Sequence, residues 1–131
     1  MKQGILVVIS IFMAALTPAN AADARMSGIY SDMSYNAEGG DLLGMELMIV
    51  PTPEGGYTAF VQIAEGGAPA VALVPLTVSG SRIEFTMPGT GGHFVGVITG
   101  DSLVGHWTEG QLSSTGGKEE HLKRGKSYWQ Q

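Results

Sequence analysis

From Leu42 to Arg124 the chain is a succession of short runs in which apolar and polar positions alternate, each cut off by glycine, proline or a polar cluster. A period of two is that of a β-strand, whose successive side chains point to opposite faces. The clearest instance is Phe94 to Trp107, FVGVITGDSLVGHW. Gly100-Asp101 supplies a two-residue turn of the primed type, in which glycine tolerates the positive φ required. That turn sets a register: Thr99 faces Ser102, Ile98 faces Leu103, Gly96 faces Gly105, and Phe94 faces Trp107. The last three pairs share one face, an aliphatic pair, a glycine pair and an aromatic pair in line. The other face carries Val95 with His106 and Val97 with Val104.

The same reading runs along the rest of the chain. Gly28-Ile29-Tyr30 is a short first strand, and the polar stretch from Ser31 to Gly40 is a long loop. Leu42 to Val50 is a strand with Leu43, Met45, Leu47 and Ile49 on one face. Pro51 to Gly56 ends it, because proline cannot continue a paired strand and glycine permits the reversal. Tyr57 to Ile63 returns, and Glu65 to Pro69 breaks again. Val71 to Val78 contains Pro75, allowed only at an edge or a bulge. With Gly80-Ser81 as a second tight turn, Val78 faces Ile83, Leu76 faces Phe85, and Thr77 pairs with Glu84 on the wet side. Pro88 to Gly92 leads into the hairpin already described. A loop from Glu109 to Gly117, a strand from Glu119 to Arg124 and a tail holding Ser127-Tyr128-Trp129 complete the chain.

No segment beyond the N-terminus has helical periodicity over a useful length. The expected fold is therefore all-β: a single antiparallel meander of seven or eight strands, forming a small barrel or a barrel-like sandwich. Twenty glycines among 131 residues suit that many turns and strongly coiled strands.

The N-terminus changes the picture of where the protein works. Lys2, an apolar run from Ile5 to Leu16 broken by Ser10, and Ala19-Asn20-Ala21 form a secretory signal peptide cleaved after Ala21. The run is shorter than the ~20 residues that span a bilayer, so an uncleaved anchor is the weaker reading. Residues 1–21 are expected to leave, with residues 22–131 as one β domain in the periplasm or medium, free of the membrane. That domain holds all twelve acidic and six of the seven basic residues, a formal charge of −6. Such a balance disfavours nucleic acid and anionic membranes as partners. With no cysteine, disulfides, thiolate metal sites, a cysteine nucleophile and lipidation at a cysteine are excluded. About two thirds of the unfolded surface can still be buried in a domain of this size, enough for a core without staples.

Candidate chemistry is sparse. Gly100-Asp101-Ser102-Leu103 spells the G-D-S-L motif of a hydrolase family whose serine is the nucleophile. Here the four residues form a hairpin turn, and His121 has Lys118 three residues before it in place of the aspartate of that family's Asp-x-x-His pair. Catalysis at Ser102 is accordingly rejected, and no catalytic residue or cofactor is assigned. His93 and His106 fall on one outer face as diagonal neighbours roughly 7 Å apart. His121 and Glu119 join them there if the last strand pairs beside Trp107 with Leu122 inward. These three histidines are candidate metal ligands by type, although their spacing alone does not make them converge. Asp32, Glu38 and Asp41 lack calcium-loop spacing, and the Gly89 to Gly92 stretch lacks the lysine and helix of a phosphate cradle.

The inner face of the hairpin is the remaining candidate. Phe94, Trp107, Phe85, Ile83, Leu76 and Leu103 read as core. The facing pair Gly96 and Gly105 removes two side chains from the middle of that face. A residue opposite (Tyr57 or Phe60), a sharp bend in the sheet, or a small apolar ligand must occupy the space.

Val74 to Arg124, about half of the expected mature domain, resembles a small β domain found N-terminal to some secreted bacterial hydrolases. The landmarks are Gly80, Phe85, Phe94, Gly96, Gly100-Asp101, Gly105, Trp107 and Arg124. They are mainly turn and packing positions, so the resemblance implies shape rather than catalysis. Only a short tail follows Arg124 in this sequence, and the resemblance then implies a free-standing accessory or binding domain. The expectation is a non-enzymatic binding module, taking a small apolar ligand against Phe85, Phe94, Gly96, Gly105 and Trp107. The alternative is an envelope module that binds or inhibits another protein. A minor hydrolase or metal-binding activity stands behind both. Oligomeric state is left open.

Overall fold

In the computed structural model, residues 26–115 and 117–131 are described. The expected signal peptide and its cleavage site lie outside them. Nine strands follow in order: β1 (Gly28–Ser31), β2 (Ser34–Asn36), β3 (Asp41–Pro51), β4 (Tyr57–Glu65), β5 (Ala70–Ser79), β6 (Arg82–Met87), β7 (Gly92–Thr99), β8 (Ser102–Trp107) and β9 (Glu120–Arg124). From β3 to β9 each strand pairs antiparallel with the next, and β1 then pairs with both β9 and β3. The sheet closes on itself as an eight-stranded antiparallel barrel. β2 is an additional strand on the rim.

The stretch expected to be a single loop after Ser31 thus contains β2, paired to Asp41–Leu43. A reversal closed by the Gly40 N–H on the Asn36 carbonyl (2.8 Å) returns the chain at once to β3. β1 and β2 lie end to end along one side of β3. The break between them falls at Gly44, whose φ is +107° and where a Cβ would meet the Asp32 carbonyl oxygen at 2.7 Å. There the Asp32 carboxylate accepts the Met45 N–H at 2.6 Å. Only glycine allows that approach.

The closing seam is β1 against β9. The Tyr30 hydroxyl accepts from an Arg124 guanidinium nitrogen at 2.5 Å and donates to the Met26 carbonyl at 3.2 Å. The same guanidinium lies 5.1 Å from the Tyr30 ring centroid. Burial raises the phenol above its ordinary value, and Arg124 pulls against that shift.

Burial alternates along β6 and β8, whereas β3 and β4 also bury outward residues, Glu46 and Gln62 among them. Inside, Tyr30, Leu47, Ile49, Val61, Ile83, Phe94, Leu103 and Leu122 are all but inaccessible. Each large apolar side chain so buried contributes roughly 1.5–3 kcal/mol. Leu43, expected on this face, is 40% exposed because it stands at the barrel rim, opposite Ser34 and Glu65. Phe60, proposed as an inward filler, belongs to the outward set of β4 between the buried Ala59 and Val61.

The two ends of the barrel differ. At one end β5–β6 and β7–β8 are joined by two-residue turns, with Gly80 at φ +61° and Gly100 at φ +59°. At the other end the β4–β5, β6–β7 and β8–β9 connections are longer and rich in glycine. The last of these carries a short 3-10 segment, Gln111–Thr115. It is held against the β6–β7 connection by the Gln111 N–H on the Thr90 carbonyl (2.9 Å) and by the close approach of Gly92 and Gly110.

The tail is not loose. Glu46 faces outward on β3 yet is 2% exposed, because residues Ser127 and Tyr128 fold over it. The Ser127 hydroxyl donates to its carboxylate at 2.6 Å and the Tyr128 N–H at 2.8 Å. Gln62, the register partner of Glu46, accepts the Trp129 indole N–H at 2.9 Å. A buried carboxylate needs such donors, and these come from the C-terminal residues.

Candidate functional site

The central hairpin has the register expected of it, pair for pair from Thr99–Ser102 to Phe94–Trp107. The five inner-face candidates are brought together. Phe85 stacks on Phe94 with centroids 5.1 Å apart, and Trp107 meets both edge-on at 5.7 and 5.2 Å. Such pairs add about 0.5–1.5 kcal/mol each to simple burial.

The space beside Gly96 and Gly105 is occupied by the ring of Phe94. A Cβ on Gly96 would lie 2.9 Å from Phe94 Cε1 and 2.8 Å from Leu103 Cδ1. One on Gly105 would collide with Phe94 Cζ and the Val95 carbonyl. Neither glycine has positive φ, so their role here is steric: they make room for a ring that lies across its own hairpin. Neither a residue from the opposite wall nor a bend is needed to fill the gap.

The expected Leu76–Phe85 pair is not part of the sheet. The β5–β6 ladder spans only Thr77–Glu84, Val78–Ile83 and Ser79–Arg82. It stops two residues short of Pro75, which has no N–H to donate. Beyond that point β5 stays with β4 as far as Ala70, while β6 stays with β7 as far as Met87. The two strands part, and a cleft of about 570 Å³ opens at the loop-rich end. Ile63, Met87 and Leu112 give it an apolar floor, Ala70 a wall, and Glu65, Thr90 and Gln111 a polar margin. Met87 and Ile63 belong to the core cluster, and Phe85 lies one inward position deeper than Met87 on β6. The aromatic cluster thus underlies the cleft rather than lining it. In the sequence its two glycine-rich walls, Gly66-Gly67-Ala68 and Pro88 to Gly91, read only as breaks. The signal that could have joined them is topological, since alternate connections of a meander emerge at the same end.

The other candidates do not assemble. His93 is engaged locally, with Nδ1 2.9 Å from the Thr86 hydroxyl and Nε2 3.2 Å from the Glu84 carboxylate. The Arg82 hydrogen bond to Glu84 (2.7 Å) holds that carboxyl below its usual range, with burial opposing and His93 assisting. On β9, His121 Nε2 sits 2.8 Å from Glu119, which precedes the strand, and His106 is exposed on β8. Among the described residues no three histidine or carboxylate groups converge as metal ligands would. Ser102 opens β8 opposite Thr99 and Lys123, with no histidine as its register partner. Asp32 is spent on the Met45 N–H, and it does not gather with Glu38 and Asp41.

Fold and site together define a closed eight-stranded barrel in which Phe94 fills the space at Gly96 and Gly105 and a cleft opens at the loop-rich end. No family model, curated protein or solved structure matches the chain.

Proposed function

We propose that the chain is an exported, non-enzymatic binding module that takes a small apolar ligand at the mouth of its barrel. The observation that carries this reading is the cleft between β5 and β6. Its volume of about 570 Å³ falls within the range of small-molecule sites, with an apolar floor and a few polar groups at the margin. The N-terminal residues support export, and the likeness of Val74–Arg124 to accessory β domains of secreted hydrolases supports a binding role without catalysis. Glu65 is the ionisable group in the lining, which favours neutral or cationic ligands over fatty acids and other anions.

The test is titration with a neutral, polarity-sensitive dye such as Nile red. Saturable uptake of one dye per barrel is expected. Ala70→Trp puts an indole into the cleft from an exposed position and weakens uptake at least tenfold, or by about 1.4 kcal/mol. Stability in that variant stays within about 0.5 kcal/mol. A flat titration, or one that Ala70→Trp leaves unchanged, ends the proposal.

A further inference from the structure

The outer surface of β1, β3, β4 and β5 is unlike the rest of the barrel. Ile29, Met48, Phe60 and Leu73 are register partners in succession, so four apolar side chains form one row across four strands on the outside. Met48 is 39% exposed, Phe60 38% and Leu73 71%. Val50 flanks the row on one side and Val71 on the other, 40% and 56% exposed. Trp129, 55% exposed, extends it where the tail crosses Gln62. The outward positions from Glu46 to Val50, Thr58 to Gln62 and Val71 to Pro75 contain one ionisable group, Glu46, and the tail covers it. Across β6 to β9 the outward positions carry Arg82, Glu84, His93, His106, His121 and Lys123 instead.

We infer that this face is a homodimer interface, occupied by a second copy of the chain about a two-fold axis near Phe60. Two quantities support that occupant. The exposed parts of these side chains amount to on the order of 600 Å², at the upper limit for a monomer's patch and close to the ~800 Å² that each partner covers in a standard interface. The second is charge. Residues 22–131 carry a formal −6, so two copies repel in most orientations, and an uncharged face is the approach without that cost. A two-fold axis sets the apolar row against itself, which needs no charge complement. β3 and β4, which carry the middle of the row, are paired on both sides within the barrel, so the contact there is made by side chains rather than by strand addition.

Sedimentation velocity of the purified protein over a concentration series tests this. A reversible dimer is expected, and Leu73→Lys raises its dissociation constant by roughly tenfold or more while leaving the thermal melt in place. Val97→Lys, at an apolar position 42% exposed on the charged half, leaves the dimer intact. Because the chain has no cysteine, Phe60→Cys under mild oxidation forms a disulfide-linked dimer, whereas Val97→Cys does not. A monomer at every concentration overturns the inference, and so does a dimer indifferent to Leu73→Lys. Cosedimentation of a monomer with phosphatidylcholine vesicles, lost in Leu73→Lys, gives the face to lipid and overturns it equally.

Discussion

Two places in this barrel lack the side chains or pairing that a regular sheet would supply, and they have opposite fates. At Gly96 and Gly105 the inner face is short of two side chains, yet the sheet is continuous and Phe94 covers both positions. Between β5 and β6 no side chain is missing, but the ladder ends below Pro75 and, among the described residues, a cleft is left at the opening. A missing side chain is a local shortage that one aromatic rotamer makes good. Missing strand pairing separates two backbones, and a neighbouring side chain cannot restore it. The sites where sequence suggests a vacancy and where the fold leaves one are therefore different.

The sharpest way to break this contrast is Phe94→Ala, which reopens the filled gap. Loss of a fully buried phenyl ring costs about 3–5 kcal/mol in urea unfolding, and the hole beside the glycines then takes up benzene or xenon. If the variant is nearly as stable as the parent, Phe94 is not the filler. Gly96→Ala is next, at about 1–3 kcal/mol, since its Cβ has no room beside Phe94 and Leu103. In the Phe94→Ala background that cost shrinks, because one of the two obstructing side chains is gone, and a double-mutant cycle reads the coupling. Additivity would mean that the ring and the glycine do not share the space. The smallest effect concerns Glu120, the register partner of Gly105. Burial raises its carboxyl above the ordinary 4.5, with Lys118 pulling down and Asp32 pushing up. The protonated form is the one the fold favours, so this contribution is fully present in acid and is lost as pH rises through the raised value. Glu120→Gln thus stabilises at neutral pH by a fraction of a kcal/mol, after allowance for solvent screening. The gain disappears on acidification, and thermal melts across that pH range check the sign.

Most of the architecture was legible because it is local. A two-residue turn fixes register, so Gly100-Asp101 and Gly80-Ser81 dictated eight facing pairs that the sheet contains, and period-two alternation sorted the buried residues of β6, β7 and β8. Closure into a barrel needed β1 to meet β9, a pairing that no local pattern encodes. The candidate site was harder. Alternation reveals that Gly96 and Gly105 leave space, but not that Phe94 turns its ring over its own strand. The Leu76–Phe85 pair failed because the turn rule extends a ladder indefinitely and Pro75 interrupts it. β2 was hidden by its polar sequence, and the burial of Glu46 by its dependence on residues some eighty positions away.

Tyr30 and Arg124, the seam residues, are separated by 94 positions in the chain. The meander from β3 to β9 grows by neighbour-to-neighbour pairing, each step closing a short loop at small entropic cost. The ring itself shuts only when the first strand and the last are both at hand. Until then β3 and β9 each present an unsatisfied edge, and the inner face stays wet. Folding of this protein is therefore expected to end in one slow, long-range docking event, on the millisecond-to-second scale of barrels rich in non-local contacts.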